Sequence, residues 1–303
     1  MVQNSRESKL AIKLGIEASV IPEWFRKKGF QFFEKNDNTP VTLADLATQI
    51  YIINSLMEEF PDDNIIAEEE GTIINEESKK IISKCFQELN IEINNIKEIV
   101  NYRGKASNRQ WTIDPIDGTQ GFVKGLFYAI GIGFMEDSVP MTCAISVPSY
   151  DKRGLALFSA ERGKGAHASY GRKSFISIKA SKKANVPDFV LYQSLHYDMP
   201  WVSQVAQNLK IHNSIKIDSM LKFCKVADGS ADLYIKPIDP QHSFSWDYMP
   251  GILIIEEAGG KITDIRNEPL WIENERLRWT APGIVASNGI AHDFVIQEIK
   301  KVT

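Results

Sequence analysis

Apolar residues recur at Leu10, Leu14, Ala18, Ile21 and Phe25, a helical spacing that predicts an amphipathic helix over residues 5–28, with Pro22 expected to kink or break it. Residues 30–40 are polar and turn-prone and read as a loop. A second helix starts at Thr42, with an apolar face of Ile50, Ile53, Leu56, Met57 and Phe60; Thr42 followed three residues later by Asp45 has the pattern of a capping box. Residues 60–71 read as a turn, a short buried strand and an acidic end at Glu68, Glu69 and Glu70. A polar helix is expected over 76–90 and a loop over 91–109, carrying Arg103, Lys105 and Arg109 without evident chemistry.

Trp111, Thr112 and Ile113 then open a buried strand that breaks at Asp114-Pro115 and again at Asp117-Gly118. Residues 126–178 carry β-rich runs joined by polar turns, the pattern of an antiparallel meander, with a tight turn between Glu161 and Ala166. A polar, lysine-bearing connection over 181–187 marks the expected boundary between domains 1–183 and 184–303. Beyond it strands (190–194, 215–218, 231–236, 261–264) alternate with helices (199–210, 219–227, 247–258), which argues for an α/β domain. Gly259-Gly260 is the expected C-cap of the last of these helices.

At 303 residues and 43% hydrophobic, the chain can bury a large core in one or two joined domains. A net charge of −4 argues against a general nucleic-acid or membrane surface but leaves room for a local basic pocket. Cys85, Cys143 and Cys224 are far apart and odd in number, so a disulfide framework is not expected. The first residues are polar, and no apolar run approaches the roughly 20 residues of a membrane span. Together these predict a cytoplasmic protein.

The chemistry concentrates at Asp114-Pro115-Ile116-Asp117-Gly118-Thr119. Two carboxylates at a strand end are costly unless a cation lies between them. Pro115 stiffens the turn, Gly118 allows close backbone approach, and Thr119 is a candidate N-cap whose helix start would face an anion. That combination suits a metal ion gripping a phosphate. The ordinary alternative is a strand followed by a common turn. Ser245-Trp246-Asp247, Pro250-Gly251 and the apolar run to Gly259-Gly260 form a second signal, for which the ordinary reading of Asp247 is an N-cap.

The string Asp-Pro-Ile-Asp-Gly-Thr resembles the first signature of the inositol monophosphatase family, the magnesium-dependent, lithium-inhibited phosphatases. Trp246-Asp247 with Gly251 and Glu257-Ala-Gly-Gly260 is similar to its second, with Pro250 in place of an alanine expected to sit in the first helical turn. Gln120-Gly121-Phe122-Val123-Lys124-Gly125 looks most like the branch acting on 3′(2′),5′-bisphosphate nucleotides, although Gln120 replaces a lysine. The resemblance implies a layered αβαβα sandwich of the sugar-phosphatase type, with an N-terminal α+β domain built on an antiparallel sheet and a C-terminal α/β domain. It implies two or three Mg²⁺ ions held by Glu68, Asp114, the Ile116 carbonyl, Asp117 and Asp247, with Glu69 behind Glu68. Asp45 and Thr119 would orient the attacking water, and the amides of Gly118 and Thr119 would hold the phosphate. Ser194, His196, Ser219, Lys222 and Lys236 would bind the nucleotide; the ordinary readings are a structural histidine and solvated lysines. The implied reaction, by a monomer or homodimer, is hydrolysis of 3′-phosphoadenosine 5′-phosphate to AMP, with removal of the same 3′-phosphate from its sulfated relative. An inositol phosphate phosphatase and a catalytically silent binding protein are the rivals.

Overall fold

A computed structural model describes residues 4–29, 32–34, 40–71, 74–196, 199–239 and 243–303. Helices α1 (Arg6–Ala18) and α2 (Val20–Lys28) divide at Ser19 rather than at Pro22. Pro22 lies in the first turn of α2, where its missing amide has no helical acceptor to serve. Within the expected loop of residues 30–40, β1 (Phe32–Glu34) pairs antiparallel with β2 (Pro40–Thr42); the remainder lies outside the described residues. Helix α3 (Leu43–Glu59) opens on a full capping box, Thr42 and Asp45 each satisfying the other's end.

Strand β3 (Asn64–Ala67), α4 (Glu76–Glu88) and a short α5 (Ile96–Val100) follow. The last is a correction to the expected loop over 91–109: Ile96, Ile99 and Val100 are buried, so three apolar contacts hold one helical turn that too few residues announce in sequence. Then come β4 (Arg109–Asp117), α6 (Thr119–Val123), β5 (Ala129–Glu136), β6 (Val139–Asp151), β7 (Gly154–Glu161), β8 (Gly165–Tyr170) and β9 (Ile176–Ile178). Strands β3 to β9 form a seven-stranded sheet in chain order, parallel between β3 and β4 and antiparallel elsewhere.

The second half holds β10 (Val190–Ser194), α7 (Pro200–Asn208), β11 (Asn213–Ile217), α8 (Leu221–Ala227), β12 (Leu233–Pro237), α9 (Ser245–Glu257), β13 (Lys261–Asp264), β14 (Trp271–Glu273), β15 (Arg276–Arg278), β16 (Gly283–Ser287) and α10 (His292–Ile299). Its five-stranded sheet runs β11-β10-β12-β16-β13, and β14 and β15 form a separate hairpin. Helices α1 and α3 cover one face of the first sheet, α8 and α9 lie between the sheets, and α7 and α10 cover the far face of the second. The result is a five-layer αβαβα sandwich whose three apolar clusters fill the spaces between layers. The largest cluster joins residues on both sides of 183, so the two halves share a core around α9.

Strand β5 shows how the central layer gets close. Ile130, Ile132 and Phe134 point to α1 and α3, whereas the alternate positions toward α9 are Ala129, Gly131, Gly133 and Met135. A Cβ on Gly131 would stand 2.6 Å from Met220 Cε, and one on Gly133 2.2 Å from Met249 Sδ. Glycine therefore lets two methionines of the central layer reach the sheet. At the other end of α9, Gly259 has φ +78°, and the Gly259 and Gly260 amides donate to the Glu256 and Ile255 carbonyls, a Schellman cap at the expected place.

Alanine for glycine inside a helix normally gains about 1 kcal/mol. At Gly251 the new Cβ would stand 2.4 Å from Phe223 Cδ2, where α8 crosses α9. Gly251→Ala is therefore expected to destabilise the protein, by about 1–3 kcal/mol in urea unfolding; a gain would refute the close approach.

Candidate active site

The acids of the site come from three places that the fold brings together. Glu68 follows β3, and its amide donates to the Ile113 carbonyl (3.2 Å), which sets it beside Asp114 on the neighbouring parallel strand. Asp114 and Asp117 belong to one strand, and three residues of regular β structure would aim them at opposite faces. The pairing of β4 with β5 shifts between them: Asp114 stands opposite Gly131 and Asp117 opposite Ala129, so two residues, Pro115 and Ile116, face one. This bulge restores the parity. Ile113 and Ile116 both pack toward the outer helices, and Asp114 and Asp117 both open into one cavity. Pro115 is the residue in the bulge, where a missing amide is tolerated.

Asp247 arrives on the first turn of α9. It is the third helical residue and Phe244 is the cap, so Asp247 is not the N-cap its ordinary reading suggests. Pro250 is also further in than expected, in the second turn, where it withdraws the donor that would meet the Trp246 carbonyl. Thr119 is corrected in the same way. It is the first residue of α6, and the cap is Gly118, with φ +88°. The close neighbours of Gly118 are protein atoms: a Cβ there would stand 3.3 Å from the Cβ atoms of Asp218 and Ser219.

One carboxylate oxygen from each of Asp114, Asp117 and Asp247 lies within 4.8 Å of the others. Asp114 is 1% exposed. Burial, and then the charges of Glu68, Asp117 and Asp247, raise its carboxyl well above the usual range. Burial raises Asp117 too, against the pull of Lys222, Lys236 and the Met220 amide. Burial, opposed by Lys236 and reinforced by Asp117 and Glu68, pushes Asp247 up to about 7. Asp114 Oδ1 is buried without a hydrogen-bond partner. Crowded carboxylates with an orphaned oxygen and no histidine or cysteine among them fit a hard divalent cation.

Of the three glutamates, Glu68 and Glu70 line the cavity, whereas Glu69 is 2% exposed and its backbone is held by Gln49 and Arg103. Arg103 carries no sequence signal, because its guanidinium donates only to backbone: the carbonyls of Val100 (2.8 Å), Tyr102 (3.0 Å) and Glu69 (2.9 Å). It holds the acidic loop against the site. Beside the acids, Thr119 Oγ1 lies 2.9 Å from the Ile116 carbonyl and 3.2 Å from Asp45 Oδ1. Asp45 Oδ2 meanwhile accepts from the Thr42 amide (2.8 Å) and hydroxyl (2.6 Å). The capping box thus aims the second oxygen of Asp45 at Thr119.

Ser194, His196, Ser219, Lys222 and Lys236, the expected nucleotide-binding residues, line the same cavity of about 550 Å³. The lysines are not surface lysines. Lys222 is 4% exposed, and its Nζ donates to the carbonyls of Ser219 (2.6 Å) and Ile217 (3.1 Å). Burial pulls it down to about 8, with Asp117 opposing. Lys236 lies 4.5 Å from the Tyr248 ring centroid. His196 is bracketed: Nδ1 is 2.8 Å from Asp218 Oδ2, and Nε2 is 2.9 Å from Lys124 Nζ, so contacts across the two halves orient the ring. Ser194 is buried at the end of β10, and the Ser219 hydroxyl accepts from the Leu221 amide (3.3 Å). The wall also includes Trp246, which belongs to the second signature, and Phe244 and Arg276, for which the sequence pattern offers no functional signal. Cys85, Cys143 and Cys224 are free and buried elsewhere. Among the described residues no helix is long and apolar enough to cross a membrane.

Each of the three aspartates sits above the ordinary value of 3.8. The unfolded chain ionises them first, so the metal-free fold loses stability as pH rises from 3.8 through about 7. A bound cation cancels that loss. Mg²⁺ is expected to raise the unfolding temperature more at about pH 8 than at about pH 5 in thermal melts against chelator. Asp114→Asn should raise the chelated melting point at the higher pH and remove most of the Mg²⁺ response. An equal response at both pH values would contradict the cation site.

Comparison with known proteins bears on this architecture. The inositol monophosphatase family model matches residues 4–303. A 3′(2′),5′-bisphosphate nucleotidase of Emericella nidulans is 29% identical, covering 92% of both chains. One of Dictyostelium discoideum is 30% identical, covering 88% of this chain and 87% of that one. Among solved structures, a Thermotoga maritima IMPase superposes with a TM-score of 0.72 at 21% identity, covering 97% of this chain and 96% of its own, a likeness of fold. With the match running through both signatures and nearly the whole length, the chain belongs to the inositol monophosphatase family of phosphatases.

Proposed function

We propose that this protein is a Mg²⁺-dependent phosphomonoesterase that hydrolyses the 3′-phosphate of 3′-phosphoadenosine 5′-phosphate, leaving AMP and phosphate, and that it accepts the sulfated relative. The observation that carries the reading is one cavity lined both by the acid cluster and by a buried lysine, a half-buried lysine, two serines and a bracketed histidine. Relatives over about nine-tenths of the chain that are named 3′(2′),5′-bisphosphate nucleotidase support it.

Glu68, Asp114, Asp117, Asp247 and the Ile116 carbonyl would hold two or three Mg²⁺ ions. Bound there, the ions supply charge to polarise the phosphoryl oxygens and acidify water. Asp45 and Thr119 work as a pair. The Thr119 hydroxyl, donating to Asp45 Oδ1, keeps a lone pair for the attacking water and positions it for in-line displacement. The water oxygen bonds to phosphorus, the ester P–O bond breaks, and the departing ribose oxygen leaves as the alcohol after taking up a proton. The amides of Gly118 and Thr119, at the start of α6, would hold the phosphoryl oxygens. Lys222 and Lys236 would balance the substrate's charge, and Ser194, His196 and Ser219 would contact the nucleoside.

The test is phosphate release with Mg²⁺ from 3′-phosphoadenosine 5′-phosphate, inositol 1-phosphate, inositol 1,4-bisphosphate and fructose 1,6-bisphosphate, each with and without lithium. The nucleotide is expected to have the highest kcat/KM; a preference for an inositol phosphate would overturn the substrate assignment. Asp117→Asn is expected to lower kcat/KM by about 10²–10³-fold or more. Thr119→Ala is expected to lower kcat by about 10²-fold with little change in KM. Wild-type turnover by Asp117→Asn would remove the proposed chemistry.

A further inference from the structure

Helix α6 meets the second half of the chain along one side. Gly118 and Lys124 cap it and Gly121 lies midway, a spacing of three that sets them in a row. A Cβ on Gly118 would stand 3.3 Å from Asp218 Cβ, and one on Gly121 3.1 Å from Asp218 Oδ2, so both glycines lie against Asp218. One turn further on, Lys124 Nζ lies 2.9 Å from His196 Nε2. The backbone around the lysine is fixed. Its amide donates to the Gly121 carbonyl (3.1 Å), the Leu126 amide closes on the same carbonyl (2.8 Å), and Arg26 of α2 holds the Leu126 carbonyl (3.0 Å). The histidine is fixed as well. Strands β10 and β11 run parallel with Ser194 opposite Ile217, and the Leu195 amide donates to the Ile217 carbonyl (3.2 Å), which brings His196 beside Asp218.

We propose that Lys124 is a positioning residue for substrate selection: it holds His196 as the neutral Nδ1–H tautomer across the junction of the two halves, and so fixes the ring that meets the nucleoside. The inference rests on the nucleotide reading of the site given above. An ammonium has three donors and no acceptor, so Nε2 receives its hydrogen bond with a lone pair. The ring proton then sits on Nδ1, 2.8 Å from Asp218 Oδ2, an oxygen that is buried and otherwise without a hydrogen-bond partner among the described residues. A proton on Nε2 instead would set donor against donor on one side of the ring and acceptor against acceptor on the other. The helix that ends on Lys124 begins at Thr119, so the clasp ties the residue that would position the attacking water to the one that would meet the nucleoside.

Nitrogen NMR of the imidazole at about pH 8, above the ordinary histidine range, reads the tautomer directly, with His196→Gln identifying the signals. The wild type is expected to hold its ring proton on Nδ1, and Lys124→Met to shift the Nε2 resonance as the lone pair is released. A proton on Nε2 in the wild type overturns the assignment. Kinetics then compare adenosine 3′,5′-bisphosphate with 4-nitrophenyl phosphate, which offers a phosphomonoester without a nucleoside. Lys124→Met is expected to lower the ratio of their kcat/KM values by about three- to tenfold, through KM for the nucleotide, and Lys124→Arg, which keeps a donor for Nε2, to lower it less. Lys124 is exposed, so methionine there is expected to leave the melting point unchanged; damage to the fold would lower it and would fall on both substrates alike. An unchanged ratio, or an equal fall on both substrates, overturns the role in selection. If the wild type does not hydrolyse the nucleotide, the proposed function fails, and the NMR result alone judges the contact of Lys124 with His196.

Discussion

Mutual repulsion among buried carboxylates is the constraint around which this molecule is arranged. Asp114, Asp117 and Asp247 crowd into one cavity with Glu68 alongside, and burial raises all three aspartates above their ordinary range. A fold that only minimised its own energy would not hold them together. The packing that holds them is correspondingly extensive: two sheets, a shared central layer, and an apolar core that crosses between the halves. The strain of the metal-free cluster is the counterpart of its affinity for a cation.

Each device that brings an acid to the cavity depends on a backbone irregularity or a close contact. The bulge in β4 turns two aspartates of one strand to the same side, and without the extra residue one would point into the helices. The glycines of β5 let Met220 and Met249 down onto the sheet, which lowers the start of α9, and Asp247 with it, toward β4. Asp45 shows economy of a different kind. The same carboxylate closes the capping box of α3 and reaches Thr119, so the cap and the contact with the cavity fall on two oxygens of one group.

The rest of the cavity wall follows another logic. Its cations are not a loose basic surface. Lys222 is buried on carbonyls near Asp117, Arg103 clamps the acidic loop by backbone contacts, and the Arg276 guanidinium stands over the Phe244 ring. A net charge of −4 conceals this arrangement, because charge counted along a chain says nothing about where burial concentrates it.

Much of this was legible in the chain itself. The meander, the alternating second half, the capping box at Thr42, the Gly259-Gly260 cap and the Asp-Pro-Ile-Asp-Gly-Thr turn are written in spacing and turn chemistry between residues a few positions apart. The helix at Ile96–Val100, the break at Ser19, the depth of Pro250 and the cap at Gly118 were not, because a few distant contacts outweigh local preference in such short stretches. The facing of Asp114 and Asp117, the burial of Lys222 and the placing of Arg276 over the Phe244 ring belong to the tertiary structure alone. Local pattern determines which elements form. Which side chains meet, and in how little water, is decided by partners a hundred or more residues away.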